Sequence, residues 1–151
     1  MSTEVKRNYL EIKNLEDLLE GQKPFNDCTV KIIEPINFKI NKFFYKQIGK
    51  KYRWIDRLAW GDKKWIEYVE NPRVKTFILK ENNNLVGFYE TVRDLDNDHS
   101  EIAYFGILEE YFGKKCGGYL LSEAIKKLFD QGVSRVWLHT CSLDHLSLIH
   151  I

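Results

Sequence analysis

The chain has 151 residues, enough for one domain that buries a sizeable core without disulfides. Lys plus Arg is 23 and Asp plus Glu is 22, a formal charge of +1, which excludes the basic surplus of a nucleic-acid or anionic-membrane binder. A hydrophobic share of 44% with 30% charged residues excludes wholesale disorder, and three cysteines, an odd number, exclude a fully paired disulfide framework.

In chain order, Met1 to Asn8 carries Glu4, Lys6 and Arg7 with no apolar run, so no secretory signal is read there. Tyr9 to Ile12 reads as a short strand. Asn14 is expected to cap a helical turn, Leu15 to Glu20, closed by Gly21. Thr29 to Ile33 is β-branched and strand-like, and Pro35 stops it. Asn37 caps a helix whose apolar residues Ile40, Phe43, Phe44 and Ile48 fall at helical spacing, with Gly49 as its exit. Its Lys42, Lys46 and Lys50 read as a solvated face. Asp62 is expected to cap a second helix carrying Trp65, Ile66 and Val69, ended by Asn71-Pro72.

A hairpin follows, Val74 to Leu79 and Leu85 to Val92, turning through Glu81-Asn82-Asn83-Asn84. Asp94 to Ser100 reads as a polar loop and Glu101 to Leu108 as the next strand. The clearest helix places Leu121, Ala124, Ile125, Leu128 and Phe129 on one face and ends at Gly132, before a strand at Arg135 to Cys141. The order β-α-α-β-β-β-α-β predicts an α/β fold, an antiparallel run followed by one parallel crossover, flanked by helices. No apolar stretch approaches the ~18 residues that span a bilayer, and unpaired thiols without an export signal point to the cytoplasm. Cys141 and His145 are only two ligands, so no metal site is expected.

Gly113-Lys114-Lys115-Cys116-Gly117-Gly118 lies between a strand and the clearest helix. Helix-start amides, the positive end of the helix dipole and close-approaching glycines suit an anion. The spacing is neither G-x-x-x-x-G-K-[ST] nor G-x-G-x-x-G, and a plain strand-to-helix turn needs the same glycines.

The run from Glu101 to Leu121, EIAYFGILEEYFGKKCGGYLL, resembles the acetyl-CoA-binding motif of the GNAT family of N-acetyltransferases: a strand, (Gln/Arg)-x-x-Gly-x-(Gly/Ala), then a helix. Phe112 stands at the Arg/Gln position, Lys115 at the middle glycine and Gly117 at the last small residue. The upstream Trp-rich region, Trp54 to Trp65, and the strand from Arg135 are also similar, so the likeness spans roughly Thr29 to His145.

The resemblance implies transfer of an acetyl group from acetyl-CoA to a primary amine, on a small molecule or a peptide, by direct attack. It implies that the pantetheine arm lies along the backbone of Ile107 and Leu108. The pyrophosphate would rest on the loop formed by Gly113, Lys114, Lys115, Cys116, Gly117 and Gly118. A backbone N–H near Phe105 would polarise the thioester oxygen. The attacking amine must first be neutral. Glu101 is the candidate base, though it also reads as a solvated strand-end carboxylate, and Glu90 is a weaker one. Tyr104 reads as acceptor lining or as core, and His139 as a packed or hydrogen-bonded histidine. Cys116 reads as a small filler, because this chemistry needs no covalent nucleophile. Tyr52, Trp54, Trp60 and Trp65 read either as an aromatic pocket over the acceptor or as core.

Two alternatives stand beside this reading: a non-catalytic acyl-CoA-binding module of the same fold, and an unrelated α/β interaction domain. Residues 1–145 are expected to form a single domain truncated at its C-terminus. Leu146 to Ile151, LSLIHI, resembles a translated sequencing-adapter end and reads as a non-native tail. On that reading the fold is incomplete at the C-terminus, lacks its general acid, exposes a sheet edge and turns over poorly.

Overall fold

The computed structural model of the protein describes residues 7–141. Along the chain come β1 (Arg7–Ile12), β2 (Cys28–Ile32), α1 (Phe38–Tyr52), α2 (Asp62–Glu70), β3 (Val74–Glu81), β4 (Asn84–Asp94), β5 (His99–Ile107), α3 (Cys116–Asp130) and β6 (Arg135–Cys141). The strands form one sheet in the order β1-β6-β5-β4-β3-β2. Every neighbouring pair is antiparallel except β5 and β6, which α3 connects in parallel. This is the mixed sheet that the element order predicts. Among the described residues no helix is long and apolar enough to cross a membrane.

Alternation along the strands divides the core between two faces. On one, Leu120, Leu121, Ala124, Ile125 and Leu128 of α3 pack against Phe77, Leu79, Tyr89, Ile102 and Val136. On the other, Phe44 and Ile48 of α1 pack against Ile78, Phe88 and Leu108, with the Phe44 and Phe88 rings stacked at 4.8 Å. Each such large apolar side chain contributes about 1.5–3 kcal/mol by leaving water. The Asn37 side chain accepts the Lys39 N–H and starts α1 as expected.

Several expected boundaries move, each for a tertiary reason. Gly49 is not an exit but lies inside α1, where a Cβ would come within 2.9 Å of the Trp54 Cβ; the helix ends instead at Arg53, with φ 57°. Asp62 is the first residue of α2 and Gly61 precedes it as cap. Asn14 caps only a 3-10 turn, Leu15–Asp17. Gly21 does not close that turn: its backbone presses on the first turn of α3, 2.5 Å from Gly118 C for a hypothetical Cβ, and its N–H donates to Ser122 Oγ at 3.2 Å. The polar loop expected from Asp94 to Ser100 is shorter, a turn over 95–98, since β4 runs to Asp94 and β5 starts at His99. The outer edge of β6 is paired with β1, from Ile12↔Val136 to Arg7↔Cys141. The segment read as a non-native tail, and His145, lie outside the described residues.

Candidate active site at the parting of two strands

β5 and β6 pair at His99↔Arg135, Ser100↔Val136 and Glu101↔Trp137, and no further among the described residues. The cause lies on the other side of β5. Its register with β4 slips between Glu90↔Tyr104 and Thr91↔Ile102, leaving Ala103 as an extra, unopposed residue. Such a bulge bends its strand and increases twist, which carries the second half of β5 away from β6.

The bend leaves one edge of β5 facing a gap. The Leu108 N–H donates to Val86 O at 2.8 Å, toward β4. Amides alternate along a strand, so those of Phe105 and Ile107 point the other way, into the gap. Leu108 therefore has no amide to offer a guest: its N–H is spent on β4, and its carbonyl accepts the Tyr111 N–H at 2.9 Å. The main-chain groups that the arrangement brings together are those of Phe105 and Ile107.

The loop after β5 delivers the helix start to the same end of the gap. Gly113 (φ 76°) and Lys115 (φ 65°) are both left-handed, so the lysine at the motif's glycine position adopts the glycine-like conformation. Lys115 caps α3 without a side-chain hydrogen bond, so no side chain of the cap covers the first amides, which meet the positive end of the helix dipole. A Cβ on Gly118 would meet nothing within 4 Å, and one on Gly117 only Ile107 Cγ1 at 3.9 Å. Lys114 lies with Nζ 5.4 Å from the Tyr111 ring centre. Lys51, from the last turn of α1, holds its Nζ 4.6 Å over the Phe112 ring. A cation thus stands above the residue that replaces the motif's Arg or Gln. Cys116 is 2% exposed and burial pushes its thiol pKa up, the opposite of an activated nucleophile.

At the closed end of the gap, Glu101 and His139 approach across the strands, Oε1 to Nδ1 at 3.6 Å, with side chains 23% and 34% exposed. The Tyr9 ring of β1 lies 5.9 Å from the imidazole. The α3 face at this level is filled by Ile102, Val136 and Leu138, so a molecule reaches Glu101 from the opposite face, the one that α1 and α2 cover.

Glu90 is not a second base. It is 0% exposed and accepts from Arg57 Nη1 (3.0 Å), Tyr68 Oη (2.8 Å) and Asn41 Nδ2 (2.9 Å). The aromatic cluster is not an empty pocket either, because Arg57 fills it. The guanidinium lies 4.0 Å from the Tyr104 ring centre, 4.1 Å from Tyr68, 4.7 Å from Trp60 and 5.4 Å from Trp65. Trp54 packs edge-on against Tyr104 at 5.0 Å. Burial pushes the Tyr104 phenol up to about 12, opposed by the Arg57 charge, so the hydroxyl stays protonated near neutrality. Arg57 is not among the residues singled out from sequence; the signal for it is an arginine set between Trp54 and Trp60 in a Trp-rich segment.

A family model described as the acetyltransferase (GNAT) family matches residues 39–150. Solved structures with the same fold include an aminoglycoside acetyltransferase from an uncultured soil metagenomic sample, with TM-score 0.68 and 10% identity over 85% of this chain and 87% of that one. A GCN5-related N-acetyltransferase from Sphaerobacter thermophilus has TM-score 0.71 and 13% identity over 90% of this chain and 42% of that one. The ribosomal-protein-S18-alanine N-acetyltransferase from Escherichia coli has TM-score 0.57 and 20% identity over 74% and 65%. No curated protein sequence matches significantly.

Proposed function

This chain belongs to the GNAT acetyltransferase family, and from that premise we propose that it transfers the acetyl group of acetyl-CoA to a primary amine by direct attack. The observation that carries the proposal is the gap between β5 and β6, which opens beside the uncapped start of α3. An extended pantetheine arm can add to the exposed edge of β5 as a strand would, bonding to the backbone of Phe105 and Ile107. The pyrophosphate then falls on the amides of α3's first turn, with Lys51, Lys114 and Lys115 supplying positive charge.

The last parallel pair, Glu101↔Trp137, stops the arm and leaves the thioester beside the bulge. The Phe105 N–H, already aimed into the gap, stabilises the charge that grows on the carbonyl oxygen during attack. An amine arrives mostly as ammonium and must lose a proton. Glu101 takes it, directly or through a water, with His139 beside it as a second acceptor. That proton leaves to solvent; as the N–C bond forms and the C–S bond breaks, the nitrogen gives up a second proton, which the departing thiolate takes up directly or through water, leaving the amide and the free thiol of CoA. The acceptor is a small-molecule or peptide amine, and the cytoplasm, where acetyl-CoA is supplied, is the compartment that this reading implies.

Titration calorimetry with CoA, followed by thiol release from acetyl-CoA with a panel of aminoglycosides and alanine-terminated peptides, tests the proposal. Micromolar binding and amine-dependent thiol release are expected. No heat at millimolar CoA overturns the reading. CoA binding without thiol release on any amine favours the non-catalytic acyl-CoA-binding module.

A further inference from the structure

The charge pair that the transfer chemistry leaves unused is Arg57 with Glu90, 5% and 0% exposed. Burying two charges is expensive, and an apolar pair of equal volume would usually stabilise the fold as well or better. What the ion pair adds is geometry. A planar guanidinium bonded to one carboxylate has few alternative positions.

The elements tied together here are specific. Asn41 comes from α1 and also donates to Thr76 Oγ1 on β3 at 2.8 Å. Tyr68 comes from α2 and Glu90 from β4. The Arg57 backbone N–H donates to Tyr45 Oη at 2.9 Å. Arg57 itself belongs to the 53–61 loop between α1 and α2, which turns its charge inward while Ile55 (69%) and Leu58 (60%) face out. Its guanidinium rests on Tyr104, the residue directly after the bulged Ala103 and the cross-strand partner of Glu90.

We propose that Arg57 is a positioning residue for the acceptor: pinned between Glu90 and Tyr104, it fixes the 53–61 loop against the bulge and so sets the approach to the thioester. This rests on the acetyltransferase reading above. Arg57 touches neither substrate. It acts through Tyr104 and the loop, which lie on the face from which an amine reaches Glu101.

The test compares the wild-type chain with Arg57→Lys, which keeps the charge but loses the fork and the flat stacking surface, and with Tyr68→Phe. The second variant removes one hydrogen bond to Glu90 from α2, on the far side of the pair from the gap. CoA affinity is read by calorimetry, and amine KM and kcat by thiol release with the best panel amine. Arg57→Lys is expected to bind CoA within about twofold of wild type and to raise the amine KM at least about tenfold; Tyr68→Phe is expected to raise it about threefold. If no panel amine is a substrate, thiol release into water is the readout, and both variants are expected to raise it relative to CoA affinity. Unchanged amine KM or water reaction, or a parallel loss of CoA affinity, overturns the positioning role. If Arg57→Lys fails to fold by circular dichroism, Tyr68→Phe decides by the same criteria. Failure of the wild type to bind CoA is a different result: it overturns the acetyltransferase reading, and this role with it.

Discussion

Glu101 on β5 and His139 on β6 lie 3.6 Å apart at the point where their strands stop pairing. Neither position is special within its own strand; the bulge two residues further along β5 makes this the closed end of an open gap. A carboxylate and an imidazole placed there are suited to receive a proton from a molecule held beside the bulge.

Glu101→Gln keeps the shape of that side chain and removes its basicity. The expected outcome is a fall in kcat of about 10²–10⁴ with CoA affinity unchanged, and a rate that continues to rise with pH as free amine accumulates. Thiol-release kinetics over pH, together with calorimetry, check it. Loss of CoA binding to the same extent would instead mean that Glu101 shapes the gap.

Gly118→Val addresses the helix start. Open space surrounds a Cβ at this position, and valine is a better helix residue than glycine. Thermal stability is therefore expected to hold or rise, while CoA affinity drops at least about tenfold, because the branched side chain occupies the room above the amides. Equal CoA affinity in variant and wild type would place the phosphates elsewhere.

Lys51→Met keeps most of the stem over Phe112 and removes the charge. CoA binding is expected to weaken severalfold at low salt, and the difference to shrink as salt screens the interaction. A deficit independent of salt would mean that the lysine acts by packing.

Glu90→Ala leaves the Arg57 guanidinium buried without its carboxylate. Stranding one partner of a buried pair costs about 3–5 kcal/mol, so the urea midpoint should fall sharply. Replacing both residues, Glu90→Leu with Arg57→Met, should recover most of that loss. If the double variant is as unstable as the single, the network holds more than the charge pair.

Alkaline pH should destabilise the fold through its buried phenols. Burial raises Tyr104 from 10.0 to about 12, and it raises Tyr68 and Tyr89 as well, Tyr68 with help from the Glu90 charge. Below pH 10 folded and unfolded chains both keep these protons. As pH rises toward about 12 the unfolded chain releases them first, so folding stability declines across that window. Urea titrations at stepped pH, with phenolate absorbance at 295 nm or thereabouts as a second probe, report it; a flat profile from about 10 to 12 would show the phenols to be solvated.

Local chemistry determined much of this protein. Asn14 and Asn37 cap because their side-chain oxygens reach nearby N–H groups, and both do so in the structure. Gly132 ends α3 at φ 87° because only a residue without a Cβ accepts that turn cheaply. The order of the elements along the chain implies the mixed sheet, and the glycine loop between a strand and the apolar-striped α3 carries the family resemblance. Three decisions belonged to the tertiary structure alone. The bulge at Ala103 is a mismatch between two strands, so neither strand records it. The partner of β1 is an edge 124 to 134 residues away, Val136 to Cys141. The role of Arg57 needs Glu90 and Tyr104 beside it, and side chains that sit 33 and 47 positions apart meet only after the sheet has set its register. Caps and periodicity act over a few residues and are legible along a line; register, edges and buried charges are relations between distant segments, and folding creates them.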